Sequence, residues 1–398
     1  FRSNHSCEHA LIDLHDVLLN NIHNNFHSLG IFLDLSKAFD LIDHNILLYK
    51  LPYFGIRGVA LDWFNSYLLN RSQYTRYNNF DSSLSKVECG IPQGSILGPL
   101  LFLLYINDLC NVTSFFHFVL FADDTNIISS HKDFNTLLHK TNEELGKIVD
   151  WFDSNKLVIN HDKTCILYFS KPNIKFPPHT IKVKINDIYL NVSDSVKFLG
   201  VLLDNQLTFQ NHRMYILKKI SKNIGIICKL RSILPKKHLF MLYTSLILPF
   251  IHYCNITWAN VGKSKLEPFH KLQKKALRIC TKSPYLAPSR PLFFELKTLN
   301  IYHIYEFKVA VLMYYVKHKM APANIINLFN FNNDFHQYYT RSASQFHLPL
   351  TSNKQMYNSF KHVGPKIFNN LNTIIRPCST ASSFKALLKS HFIHKYTS

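Results

Sequence analysis

The chain has 398 residues, 47% of them apolar, which is enough for a sizeable core and too much for a globally disordered protein. Lys and Arg number 45 against 25 Asp and Glu, and the formal charge of +20 points to a polyanionic partner. Eight cysteines without any Cys-x-x-Cys spacing argue against a disulfide scaffold or a structural zinc site, and the thiols are expected to be reduced, intracellular core residues.

The charge is unevenly spread. Residues 1–170 carry 12 basic and 18 acidic side chains, whereas residues 171–398 carry 33 and 7. An acidic first part and a basic second part suit carboxylate chemistry on something the rest of the chain holds by its phosphates. The longest apolar run, Ile96 to Ile106, contains Gly98 and Pro99 and is too short to span a bilayer. With no secretory segment either, the expectation is an intracellular protein of cytoplasm and nucleus that does not engage a membrane. The chain starts at Phe1 without a Met, as a fragment of a longer reading frame would.

In chain order, residues 8–22 have helical spacing, and Ile31 to Leu35 reads as a buried strand with one carboxylate, Asp34, in it. Residues 59–69 and 97–109 read as helices. Phe118 to Ala122 and Thr125 to Ser129 predict a hairpin with Asp123-Asp124 at its turn. A long amphipathic helix is expected over 133–152, then strands near 157–169. A Pro-rich break at Lys171 to Thr180 precedes strand patterns at 181–192 and 196–203. From Phe209 to about 280 the pattern is helical, and a second break, Ser283 to Pro291, opens a last region that is helical at 299–318 and 382–394 and irregular near 330–356. The order predicts an α+β domain followed by mostly helical ones.

A lone Asp in an apolar strand is costly, and adjacent carboxylates repel, so Asp34 and the Asp123-Asp124 pair call for compensation. For clustered acids on strand ends the usual compensation is a divalent metal. Gly90-Ile-Pro-Gln93-Gly94-Ser95 leads into a helix whose start offers N–H groups and a positive dipole to a phosphate. By itself that loop fits any strand-to-helix turn.

Phe32-Leu-Asp34-Leu-Ser-Lys-Ala-Phe39-Asp40, Gly90-Ile-Pro-Gln-Gly-Ser-Ile-Leu-Gly-Pro99 and Phe121-Ala-Asp-Asp-Thr125 stand in the order and spacing of reverse transcriptase motifs. Asn160-His-Asp-Lys163-Thr164 and Lys197-Phe-Leu-Gly200 continue that order. The chain resembles the reverse transcriptases of non-LTR (LINE-type) retrotransposons, near the Jockey and chicken-repeat groups. The motifs cover residues 1–205, and Pro249 to Trp258 and Leu272 to Arg278 extend the likeness. Thr340-Arg-Ser342 and Phe360 to Gly364 are similar to the tails of such elements.

The resemblance implies a right-hand polymerase with an antiparallel-sheet palm and partial fingers at 1–205, a helical thumb at 206–282 and a mostly helical basic C-terminal region at 283–398. It implies two Mg²⁺ (or Mn²⁺) ions held by Asp34, Asp123 and Asp124, and Lys163 as the acid that protonates leaving pyrophosphate. Backbone N–H groups of Lys37 and Ala38 would face the triphosphate, Phe39 would exclude a ribose 2′-hydroxyl, and Gln93 and Gly94 would pack on nucleotide and template. Lys197, Phe198, Leu199 and Gly200 would be the primer grip. The implied partners are an RNA template, a DNA primer or target and deoxyribonucleoside triphosphates. The upstream finger strands, the endonuclease and a Cys-Cys-His-Cys knuckle of complete elements are missing from these residues.

Lys271, Lys274, Lys275 and Arg278 fall at i, i+3, i+4 and i+7, predicting a continuous basic stripe that contacts template–primer phosphate, with Phe269, Leu272, Ala276 and Ile279 opposite. His391 and His394 are placed in an exposed tail. Two other classes compete with the polymerase. One is a catalytically inactive remnant kept for binding RNA or DNA, which substituted acids would signal, and none is substituted. The other is a two-metal nuclease or phosphatase, which would not need Phe39, Gln93-Gly94 and Lys163 in this order.

Overall fold

The computed structural model describes residues 4–169, 180–335, 342–350, 354–371 and 378–397. The Pro-rich break at 171–179 and Thr340-Arg341 lie outside them. Helix and sheet are mixed, and the chain divides into two compact units, residues 24–196, and residues 2–23 with 197–398. The opening helix α1 (Cys7–His23) therefore belongs to the second unit.

The first unit is built on a five-stranded sheet. Its central strand β1 (His27–Leu33) pairs antiparallel with β3 (Asp124–His131) on one side and β4 (Cys165–Phe169) on the other. Strand β2 (His117–Phe121) closes the edge beside β3, and the short β5 (Asn191–Val192) runs parallel to β4 at the other edge. From Ser28 to Leu33, β1 is buried on both faces, so its sequence is a continuous apolar run rather than an alternation.

Helices α2 (His44–Lys50), α3 (Val59–Leu68), α4 (Gly98–Ile106) and α5 (Phe134–Ser154) complete this unit. The α5 helix is capped by Asp133, whose carboxylate accepts from the Thr136 N–H at 2.7 Å. Its buried stripe, Leu137, Thr141, Leu145, Ile148, Val149 and Phe152, packs on the sheet as the spacing predicts. The helix expected at 97–109 is shorter, because α4 gives way to a 3-10 turn over Asn107–Asn111. Helix α3 buries Leu68 fully and packs half-buried Leu61, Phe64 and Tyr67 against the core, while Val59 and Trp63 on it are exposed. The strand pattern at 181–192 resolves into three two-residue strands, Lys184–Ile185, Ile188–Tyr189 and β5.

Strands β6 (Ser195–Phe198) and β7 (Val201–Asp204) form a hairpin that leads into the helical part of the second unit. There α6 (Gln210–Leu230), α7 (Lys236–Leu246) and α8 (Lys263–Cys280) pack on one another, followed by α9 (Ile301–Lys317), α10 (Phe360–Asn369) and α11 (Ala381–His394). The helix expected at 382–394 is α11, anchored by buried Phe384, Leu388 and Phe392, with Phe392 stacked on His303 at 5.0 Å; of the two histidines expected to be exposed there, His394 is exposed and His391 half-buried. None of the eight cysteines is in a disulfide, but Cys89, Cys110 and Cys228 are exposed, which corrects the expectation of core residues.

Candidate active site

The sheet register sets the acidic residues. Leu33, the last residue of β1, pairs with Thr125 of β3, so Asp34 leaves the sheet beside Asp124. Phe121 pairs with Asp124, leaving Ala122 and Asp123 as a two-residue hairpin turn. Ala122 sits at φ +51°, a left-handed conformation that a residue with a Cβ adopts at a cost. The turn thus carries Asp123 at its tip with Asp124 as the first strand residue, close to the predicted hairpin.

Asp34 itself is half-buried. Its N–H donates to Thr164 Oγ1 at 3.3 Å, its carbonyl accepts from the Asn160 N–H at 2.8 Å, and Lys163 Nζ lies 3.5 Å from its Oδ2. The segment 160–164 is therefore stitched to Asp34, and the sequence motif holding Lys163 meets the motif holding Asp34. The Asp124 carboxyl is pushed up by surrounding chain that displaces water, and further by the charges of Asp123 and Asp34. Among the described residues, no group of three or more His, Cys, Asp or Glu side chains stands ready-made as a metal cage. The donor chemistry nevertheless suits a hard cation, since three acids with one lysine among them leave negative charge to neutralise.

After β1 the chain turns sharply. Lys37 is left-handed at φ +47°, and its carbonyl accepts from the Asp40 and Leu41 N–H groups at 2.9 and 3.1 Å. Ala38 is buried there. Phe39 stacks on Phe102 of α4 with ring centroids 4.8 Å apart, and its carbonyl accepts from the Ile91 N–H at 3.0 Å. The Gly90 N–H donates to the Ile42 carbonyl at 2.7 Å, and His44 Nε2 donates to the Gly90 carbonyl at 2.7 Å. Gly90 is required here: at φ +86° an added Cβ would lie 2.8 Å from the Asp40 carbonyl oxygen. Exposed Gln93 donates through Nε2 to Asp40 Oδ1 at 2.8 Å, with Gly94 beside it at φ +80°. Thus the 34–40 turn and the 90–94 loop form one bonded unit.

Several residues in this unit escaped the sequence reading. Asp43 caps α2 by accepting from the Ile46 N–H at 3.0 Å and pairs with Lys156 at 2.6 Å. Partial burial would raise its carboxyl, but those two partners more than offset this and hold it low. Beside Gln93 a cleft of about 530 Å³ is lined by Asp40, Arg71, Gln73, Lys86 and Glu88. Asp40 and Asp43 follow Asp34 closely enough to have been singled out; Arg71 and Lys86 give no local signal.

In the second unit, Lys197 is exposed and Phe198 buried, and Leu199 and Gly200 form the β6–β7 turn with φ +44° and +77°. Two left-handed residues are what a tight hairpin turn needs. The basic stripe on α8 is not continuous. Lys271 and Lys275 are exposed, but Lys274 lies 3.8 Å from Glu267, and Arg278 Nε donates to the Ala287 carbonyl at 2.8 Å. The opposite face does bury Phe269, Ala276 and Ile279 as predicted.

Residues 1–203 match the family model described as reverse transcriptase (RNA-dependent DNA polymerase). The chain belongs to the reverse transcriptase family. It is 26% identical over 309 residues to the RNA-directed DNA polymerase from mobile element jockey of Drosophila melanogaster, covering 75% of this chain and 33% of that protein. It is also 26% identical over 326 residues to the probable RNA-directed DNA polymerase from transposon BS of the same fly, covering 77% and 34%. The chain thus spans about a third of the length of the curated relatives it matches. Among solved structures, telomerase from Candida albicans, determined with a fragment of telomeric RNA, is 13% identical at a TM-score of 0.36, covering 74% of this chain and 50% of that one. That likeness is too slight to bear on the fold of this reverse transcriptase. No helix among the described residues is long and apolar enough to cross a membrane.

Proposed function

We propose that this chain is the polymerase part of a non-LTR retrotransposon: an RNA-directed DNA polymerase that extends a primer 3′-hydroxyl with deoxyribonucleotides in target-primed reverse transcription. The observation that carries this reading is the sheet register that sets Asp34 beside the Asp123-Asp124 turn, with Lys163 stitched to the same point. In it, residues 1–205 act as palm and partial fingers, 206–282 as thumb, and 283–398 as a basic C-terminal region.

Asp34, Asp123 and Asp124 would hold two divalent ions, Mg²⁺ or Mn²⁺, which when bound supply Lewis-acid activation of an attacking oxygen and charge stabilisation at a leaving one. The chain's own residues do the rest. Lys163, released from Asp34, donates its Nζ proton to the departing pyrophosphate. Phe39, wedged by Phe102, fills the space a ribose 2′-hydroxyl would need. Gln93 is oriented by Asp40, and Gly94 lets backbone approach the nucleotide closely. The N–H groups of Lys37 and Ala38 face the triphosphate. Lys197 to Gly200 grip the primer, and Lys271 and Lys275 meet template–primer phosphates, with Lys274 and Arg278 already engaged within the protein.

Primer extension and filter binding on the same preparations test this. Asp123→Asn keeps shape and removes charge, so extension of a DNA primer on RNA should fall by roughly a thousandfold or more while template–primer affinity holds. Undiminished extension by the variant would move the active site elsewhere. A parent that binds template–primer but never extends it would make the chain a binding remnant.

A further inference from the structure

The second break in the sequence, Ser283 to Pro291, folds into a bonded knob between α8 and the short helix Ser289–Glu295, and no polymerase role falls on it. Its base is tied from three sides. The Ser283 N–H donates to the Arg278 carbonyl at 3.0 Å, Arg231 Nη2 donates to the Ser283 carbonyl at 3.1 Å, and Arg278 Nε donates to the Ala287 carbonyl at 2.8 Å. The Ala287 N–H closes a turn on the Pro284 carbonyl at 3.1 Å, with Tyr285 and Leu286 at its two central positions. Pro284 and Pro288 bracket that turn and fix φ on either side of it. Yet the two residues held so firmly face water: Tyr285 is 77% exposed and Leu286 85%. Arg231 begins the turn that links α6 to α7, and Ile233 in that turn is 73% exposed.

Single exposed apolar residues are ordinary, but three on two joined turns are not. A clamp that only closed the loop would serve equally with polar residues at its tip, and Ser, Asn or Gly are what a turn normally presents. Ordering bulky apolar side chains in advance is the feature of a binding anchor, because little conformational freedom is then left to lose on association. The charge around the tip selects what it meets. Exposed Lys229, Lys236, Lys237, Lys282 and Arg290 flank it, and no Asp or Glu occurs in residues 205–266 or 268–294. A complementary partner therefore offers carboxylates around an apolar contact. A nucleic acid would satisfy the cations but gives Ile233 and Leu286 no apolar cavity, and a second copy at a formal +20 would repel.

We propose that Ile233, Tyr285 and Leu286 form a docking knob for an acidic peptide segment of another protein, in which aliphatic or aromatic residues alternate with Asp and Glu. Ile233 and Leu286 take the apolar side chains of the segment, and Tyr285 covers them while its hydroxyl donates to a carboxylate. The flanking lysines and Arg290 hold the acidic residues between. The knob is independent of the acidic residues of the first unit and of polymerase activity.

The test is fluorescence anisotropy on the full chain with a labelled short peptide alternating Asp or Glu with Leu or Phe. A second peptide with every Leu and Phe replaced by Ser, and a labelled oligo(dT), are measured beside it. The acidic–apolar peptide should bind roughly tenfold or more tighter than the acidic–serine one, and Ile233→Ser/Tyr285→Ser/Leu286→Ser should erase that preference. Leu350→Ser, which changes a fully exposed leucine elsewhere in the unit, should leave the preference intact. Lys282→Gln/Arg290→Gln should weaken both peptides together and flatten their salt dependence. The replaced side chains face water, so melting temperatures should match the parent and the losses report contact rather than unfolding. The triple variant should bind oligo(dT) as the parent does. Equal affinity of the two peptides for the parent, or a preference that survives the triple variant, would overturn the knob. Loss of oligo(dT) binding in the triple variant would assign the surface to nucleic acid instead. Self-association of the parent that the triple variant abolishes, read by light scattering, would assign it to a second copy.

Discussion

The Tyr253 hydroxyl donates a 2.7 Å hydrogen bond to the carbonyl of Leu199, 54 residues earlier, and so clamps the β6–β7 turn. Its ring also stands 3.4 Å from where a Cβ on Gly200 would lie, and the Trp258 indole N–H donates to the Tyr253 carbonyl at 2.8 Å. Tyr253 is thus a positioning residue for the segment assigned to the primer. Tyr253→Phe should cost about 1 kcal/mol of stability, the usual worth of one hydrogen bond, measurable by denaturant titration. It should raise the KM for primer–template several-fold and leave the KM for nucleotide unchanged. A change in both constants together would assign the clamp to the whole fold.

Phe39 is half-buried against Phe102, so its position is set by packing as well as by the turn. Phe39→Val shortens the side chain and should raise incorporation of ribonucleotides relative to deoxyribonucleotides by at least tenfold in single-nucleotide extension assays. Equal discrimination in variant and parent would remove Phe39 from sugar selection.

On α8, equal charge changes should have unequal effects. Lys271→Gln with Lys275→Gln should lower the salt slope of template–primer binding by between about 1 and 2, and leave the melting temperature unchanged. Arg278→Gln should instead lower the melting temperature, because the Ala287 carbonyl loses its 2.8 Å donor. Melting curves and salt titrations of the two variants separate these roles.

This contrast shows what periodicity carries and what it omits. A 3.6-residue period reveals that α8 has an apolar face, and the buried Phe269, Ala276 and Ile279 follow from it. It cannot reveal that Glu267 and the Ala287 carbonyl come back to take up Lys274 and Arg278, since those partners are fixed by tertiary packing. The acidic turn and the 90–94 loop were readable because their chemistry is local and their residue order distinctive. The bonds that join them were not: Gln93 to Asp40 and Lys156 to Asp43 span 53 and 113 residues. Likewise the stacking of Phe392 on His303 joins two segments far apart in the chain.

The second unit should weaken in acid. His15, His212, His252, His270 and His303 are each held down at about 4, chiefly by burial, against an unperturbed 6.5. Their folded values are depressed, so the unfolded chain binds more protons below pH 6.5 and stability is lost as pH falls from 6.5 towards 4. Asp16, raised to about 6 by burial in α1, and Glu306, raised by burial in α9, act in the opposite sense. Five imidazoles outweigh two carboxyls. Hydrogen-exchange protection factors in α6 and α9 should therefore fall steeply as pH drops from 6.5 to 4.5, and protection that is flat across this range would contradict the buried neutral state.

Asp124 should show opposite effects on stability and on activity. Its carboxyl is raised by the water its surroundings displace, then by Asp123 and Asp34, so ionising it opposes folding. For an acid whose folded pKa is raised, that penalty is absent below the unfolded value of about 3.9, grows as pH climbs through the folded value, and is constant at neutrality. Asp124→Asn should accordingly raise the melting temperature at pH 7.5, with the gain shrinking to nothing near pH 3.5. The same substitution removes a donor from the acidic cluster. Added Mg²⁺ at millimolar concentration should raise the melting temperature of the parent more than that of the variant, because a cation relieves three neighbouring carboxylates better than two. Primer extension by the variant should fall at least tenfold. Site-built repulsion kept at the expense of stability is the usual mark of a functional cluster. A variant that is neither stabilised at neutral pH nor less responsive to Mg²⁺ would show that the three acids share a sheet edge without sharing a charge.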